Sequence, residues 1–223
     1  MIQPHHEQFV QRLNGEDLHW GFDAEAPTYF IQHAGSWGHH DKVNPAPAYA
    51  HDLRAVEVEL RHLQTVAPLP FPMKITVLSH DFLSGTNGHY YNDYYYNHDT
   101  GINEYAVGNI VLCGKRIPIH PAMTRYLVAH EYGHGVQYYL ERVRDMKTDS
   151  LRALYIEQCR PDATQAYGPG KWHTNVGELI ANDFRILVAK RELEFWPHDL
   201  YARPEANPAV VAFWNEVQEQ LWS

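Results

Sequence analysis

The stretch LVAHEYGHGVQYYL at residues 127–140 constrains this chain more than any other. It reads as the interior of a helix, because Leu127, Val128 and Ala129 lead into it and no proline interrupts it. On a helix each residue turns ~100°, so His130 and His134 fall ~40° apart on one face, one turn from each other. Two imidazoles placed in this way can reach one tetrahedral ion, which is the spacing a zinc site needs. Glu131 is adjacent but rotated away, which suits a carboxylate that works on a water at the metal and not on the metal itself. Gly133 costs such a helix about 1 kcal/mol against Ala. Its missing side chain would let a strand or a ligand approach closely.

A zinc site of this kind needs a third protein ligand and an open fourth position. No histidine follows in GVQYYLERVRD. Further on, NVGELIANDF presents Glu178 one turn into a second predicted helix, and a glutamate there would complete a His130, His134, Glu178 set. The same residues also spell a capping box, Asn175-x-x-Glu178, in which the glutamate would only satisfy a backbone N–H. Asp183 and His173 are the other candidates for the third position.

The rest of the chain predicts an α+β order. A helical pattern starts at the cap and first-turn pair Asn44-Pro45 and runs through Leu53, Val56, Leu60 and Leu63 to the break at Pro68–Pro72. Residues 74–78 and 105–113 read as strands. Between them a tyrosine-rich strand lies between turn signals at Asn87-Gly88 and Thr100-Gly101, so the sheet has three or more strands. Helices are predicted over 121–146, 150–158, 176–194 and 208–221, the last capped by Asn207, with a loop at 161–174. The expected architecture is a small mixed sheet packed on the motif helix and followed by a helical part. It forms one domain over 1–223, with helix and sheet in 1–115 and the metal site in the mainly helical 116–223.

Composition narrows the function. With 223 residues and 44% hydrophobic content the chain can bury a substantial core. The formal net charge of −9 and the absence of clustered Lys and Arg argue against a nucleic-acid partner. The two cysteines, Cys113 and Cys159, form no CxxC pair, which fits a reducing compartment, and Cys113 reads as a small core residue. No apolar run approaches the ~18 residues that would span a bilayer, and MIQPHHEQFV lacks the features of an export signal. The expectation is a cytoplasmic protein with no membrane partner. The pairs His5-His6 and His39-His40 read as surface histidines.

VAHEYGHGVQ followed downstream by GELIANDF resembles the gluzincin branch of the zincin metallopeptidases. Within it the chain is similar to the small bacterial neutral zinc metallopeptidases, whose motif helix often reads HE-x-GH-x-x-Q. The third histidine of the metzincin pattern is missing. In many gluzincins an aspartate follows four positions after the ligand glutamate and orients a metal-binding histidine. Here that position is Asn182, with Asp183 next to it, and the two cannot both face the metal. The resemblance implies a zincin-like fold, one catalytic zinc ion, a peptide or protein substrate, and Glu131 as the base that takes a proton from water and passes it to the leaving amine. Zinc would lower the pKa of that water towards ~7 and polarise the scissile carbonyl.

A donor should also steady the developing oxyanion. Tyr167 and His173, in the loop ahead of Glu178, are preferred over His198 and Tyr201 beyond the helix. The resemblance further implies that the strand YAVGNIVLC is the sheet edge along which an extended substrate pairs. Tyr90, Tyr91, Tyr94, Tyr95 and Tyr96 could line a substrate groove, and an exposed hairpin explains them equally well. The competing reading is a zincin-like scaffold that binds a partner and keeps zinc for stability. Glu131 weighs against it, because a purely structural site tends to close with four protein ligands.

Overall fold

A computed structural model describes residues 17–18, 29–34, 43–47, 49–78, 80–82, 87–97, 102–143, 148–161, 163–164, 174–191 and 201–222. Its strands are β1 (Asp17–Leu18), β2 (Tyr29–Ala34), β3 (Val43–Pro47), β4 (Met73–Leu78), β5 (His80–Phe82), β6 (Gly88–Asn97) and β7 (Ile102–Leu112). The helices are α1 (Leu53–Val66), α2 (Pro121–Val143), α3 (Thr148–Gln158), α4 (Val176–Leu187) and α5 (Pro208–Leu221). Mixed α+β architecture is therefore present, with the described strands ending before the four later helices begin.

Five strands form one sheet in the order β1-β2-β4-β7-β6. β2, β4 and β7 run parallel, and β1 and β6 flank them antiparallel. In β4, MKITVL, every residue but Lys74 is buried, so it carries the near-continuous apolar run of a strand covered on both faces. β7 lies between β4 and β6. This corrects the expectation that YAVGNIVLC is the sheet edge: among the described residues the edges are the short β1 and, next to β7, the tyrosine strand β6. The reason is topological. β7 pairs parallel with β4 through Met73–Gly108 to Val77–Leu112 and antiparallel with β6 through its whole length, so both its sides are taken. Tyr90 is buried in the core and stacks on Tyr138 at 5.8 Å, so at least this member of the cluster is not an exposed hairpin residue.

The first helix starts later than the Asn44-Pro45 pair suggests. Val43–Pro47 forms β3, antiparallel to β5, and α1 begins at Leu53 with Asp52 as its cap, whose side chain accepts from Arg54 N at 2.9 Å. Residues before proline are pushed to extended backbone, and Asn44 and Ala46 both precede one. At the other end of the chain the expected cap is found: Asn207 Oδ1 accepts from Ala209 N and Val210 N, and Pro208 opens α5. α4 ends at Leu187, short of the expected 194. Ala189 N returns to Phe184 O, Lys190 turns left-handed at φ 53°, and Arg191 then reaches both carboxylate oxygens of buried Glu59 on α1 at 2.9 and 2.8 Å. No glycine marks that stop; Lys190 takes the left-handed turn that leads to the ion pair with α1.

One cluster of buried side chains draws on the sheet and on all five helices, among them Leu60, Ile75, Ile110, Tyr132, Tyr155, Phe184 and Trp214. His51 links α2 to the segment after β7, with Nδ1 2.9 Å from Thr124 Oγ1 at the start of α2 and Nε2 3.1 Å from the Cys113 carbonyl. Among the described residues no helix is long and apolar enough to cross a membrane.

Candidate metal centre

The motif lies in the middle of α2, and that helix has a glycine on each of two contact faces. A β-carbon on Gly133 would stand 2.8 Å from Ala181 O and 2.9 Å from Ala181 Cα, so the bare position is what lets α4 lie against α2. The close approach expected at Gly133 is thus made by a helix. A β-carbon on Gly135 would stand 2.9 Å from the Tyr90 hydroxyl oxygen, so β6 closes on the other contact.

Packing α4 on α2 brings Glu178 to the two histidines. His130 Nε2 lies 3.1 Å from Glu178 Oε2, and His134 Nε2 lies 3.7 Å from the same oxygen. The two imidazoles meet edge to face with centroids 4.9 Å apart. One ligand atom from each of the three residues falls within 4.8 Å of the others, and among the described residues no other such group converges. Tetrahedral bonds of ~2.0–2.1 Å to a zinc ion would separate neighbouring ligand atoms by about 3.3 Å. The observed 3.1 and 3.7 Å bracket that separation, and two imidazole nitrogens with one carboxylate oxygen are a zinc donor set. With the two imidazole nitrogens within 4.8 Å of each other, the group could hold a metal ion.

The two sequence readings of Glu178 separate here. Asn175 does cap α4, with Oδ1 accepting from Gly177 N at 2.9 Å and Glu178 N at 3.3 Å. Glu178 does not return the bond; its carboxylate turns to the imidazoles. Burial would raise this carboxyl, but the charge of His134 and the hydrogen bonds of both imidazoles outweigh it and hold the group well below the ordinary carboxylate range. Burial likewise works against a proton on His134, and Glu178 overcomes it, so His134 is raised; the charge of Arg152 on α3 opposes that rise. Glu131 is only 5% exposed, and burial first, then the charge of Glu178, pushes it up against the pull of His130 and His134.

Asp183 is removed as a ligand. It is fully buried with its oxygens on Arg160, at 2.6 and 3.1 Å, and on the Tyr155 hydroxyl at 2.6 Å. Asn182 is equally buried: its Nδ2 donates to the Glu178 carbonyl, and its Oδ1 accepts from Arg185 Nε at 3.2 Å and, at 3.5 Å, from the Tyr126 hydroxyl. Tyr201 lies beside the Arg160 guanidinium, 5.9 Å from ring centroid to Cζ. Tyr167, His173 and His198 lie outside the described residues.

Three contributors escape the sequence reading. Tyr126 stands one turn before His130, under the Arg185 guanidinium at 4.1 Å, where the charges of Glu178 and Glu131 reach it. Its helical spacing from the motif was the available signal. Arg152 carries no local signal, since only the docking of α3 buries it near His134. Gly88 is read as a turn residue by Asn87-Gly88, yet it opens β6 directly beside Glu131. Comparison with protein-family models, with curated proteins and with solved structures finds no match to this chain.

Proposed function

We propose that the protein is a zinc-dependent peptidase of zincin-like fold in which Glu131 is the general base. The observation that carries this reading is the three-residue donor set: His130, His134 and Glu178 converge from two helices, with a second carboxylate, Glu131, buried beside them. A bound zinc ion would supply the Lewis acid that acidifies a water and polarises the scissile carbonyl. The chain's own residues do the rest. His130, His134 and Glu178 would hold the ion, and the close α2–α4 contact at Gly133 keeps the three together. Glu131 accepts the proton of the attacking water and delivers it to the departing amine. Its burial raises its proton affinity, which suits a group that must first take a proton and then give it up. The free, buried thiols of Cys113 and Cys159 support work in a reducing compartment such as the cytoplasm.

The test compares zinc-loaded wild type with Glu131→Gln on a peptide library, with metal content measured on both. Glu131→Gln keeps the size of the side chain and removes the base. It should retain zinc and lose peptide cleavage by roughly 10²-fold or more, the usual contribution of general-base catalysis. Equal cleavage by both forms would refute the assigned base. No cleavage by zinc-replete wild type would replace the peptidase with a zinc-holding scaffold.

A further inference from the structure

The start of β6 and the Glu131 carboxylate compete for the same space. A β-carbon on Gly88 would stand 2.5 Å from Glu131 Oε1, 3.0 Å from its Cδ and 3.1 Å from its Cγ, so the carboxylate occupies the volume that any other residue at 88 would fill. Among the described residues the Glu131 carboxylate makes no hydrogen bond, and its contact with Gly88 bears on its direction. The strand cannot back away easily. Gly88 pairs with Leu112 on β7, and Cys113 N donates to Asn87 O at 3.0 Å. Two residues on, Tyr90 is wedged against Gly108 and Gly135 and stacked on Tyr138. The carboxylate, the far end of a flexible side chain, is the part that can yield.

We infer that Gly88 is the positioning residue for Glu131: its bare backbone forms the slot that holds the carboxylate beside the His130, His134 and Glu178 cluster. This rests on Glu131 being the base proposed above. A side chain at 88 swings the carboxylate out of the slot at little cost to the fold, and the cost falls on proton transfer. Misplacing a reacting group by about 1 Å is enough to lose on the order of 10²-fold in rate.

The experiment is Gly88→Ala, read by crystal structure and by steady-state kinetics on a cleaved library peptide. The structure should keep the β6–β7 register and show the Glu131 carboxylate displaced by about 1 Å or more, and kcat should fall by ~10–100-fold while KM changes less than roughly threefold. In the Glu131→Gln background the same substitution should cause no further loss, because both act through one carboxylate. An unmoved carboxylate with a shifted β6, or an unchanged kcat, would overturn the inference. If wild type cleaves nothing, the peptidase reading fails and the crystallographic displacement alone decides the positioning role. If Gly88→Ala does not fold, Gly88→Ala/Glu131→Ala should restore folding; a double variant that also fails to fold assigns Gly88 to the strand and overturns the inference.

Discussion

Glu178 and Asp183 lie on the same helix, α4, and meet opposite fates. Asp183 faces α3 and is matched inside the protein by the Arg160 guanidinium and the Tyr155 hydroxyl. Glu178 faces α2, where it meets two imidazoles and no guanidinium or ammonium pairs with it among the described residues. Burial dominates at Asp183 and raises it despite Arg160, whereas the imidazoles prevail at Glu178 and lower it. The same contrast divides the histidines. His51 has both ring nitrogens met by Thr124 and the Cys113 carbonyl, and burial pulls its pKa down to about 4, while His134 is raised by Glu178. A buried polar group whose partners are all protein holds the fold together. Glu178 instead meets two imidazoles in a group that could hold a cation.

Breaking the matched pair gives the largest expected effect on stability. Arg160→Met leaves the Asp183 carboxylate buried without its cation, which typically costs about 3–5 kcal/mol. Urea unfolding should show that loss in a variant that still takes up about one zinc per chain. Loss of zinc in a variant that remains folded would mean the two faces of α4 are not independent.

His51 provides the second test, through pH. Its folded pKa of about 4 lies below the ordinary 6.5, so between these values the unfolded chain binds the proton and the folded chain does not. The contribution is fully present above pH 6.5 and is lost as pH falls towards 4, by about 3 kcal/mol at 1.36 kcal/mol per unit. His51→Gln should flatten the slope of unfolding free energy in that window relative to wild type. An identical slope would show that His51 is not the neutral, protein-satisfied imidazole described.

The third test sharpens the contrast from the metal side. Glu178→Ala should weaken zinc by about 10²-fold or more, equivalent to about 2.7 kcal/mol, and Glu178→Gln less. In the metal-free protein α4 should keep its cap, since Asn175 caps it without help from Glu178, and Glu178→Ala should lower stability only through the lost contact with the two imidazoles. Chelator competition with unfolding curves on both forms measures this. An unchanged zinc affinity would return Glu178 to a capping role.

Much of the candidate metal site was legible because it is local. The pitch of a helix puts His130 and His134 on one face whatever surrounds it, and Asn207-Pro208 starts α5 where a cap and a first-turn proline must. Interactions between residues three and four apart need no tertiary partner. The choice between Glu178 and Asp183 was not local, because rotation about α4 separates them by ~140° and only the face presented to α2 decides which meets the imidazoles. Gly133 enables that contact, but the Ala181 backbone it admits is distant in the sequence. Strand order was likewise undetermined: both β6 and β7 carry strand residues, and only pairing of β7 with β4 leaves β6 at the edge, with Gly88 beside Glu131. Sequence by itself determined that His130 and His134 share a helix face and that Asn207 caps α5, since those depend on the chain's own pitch. Tertiary packing alone decided which acid faces the histidines and which strand borders Glu131, because burial and steric fit between distant segments select among faces that local periodicity leaves equivalent.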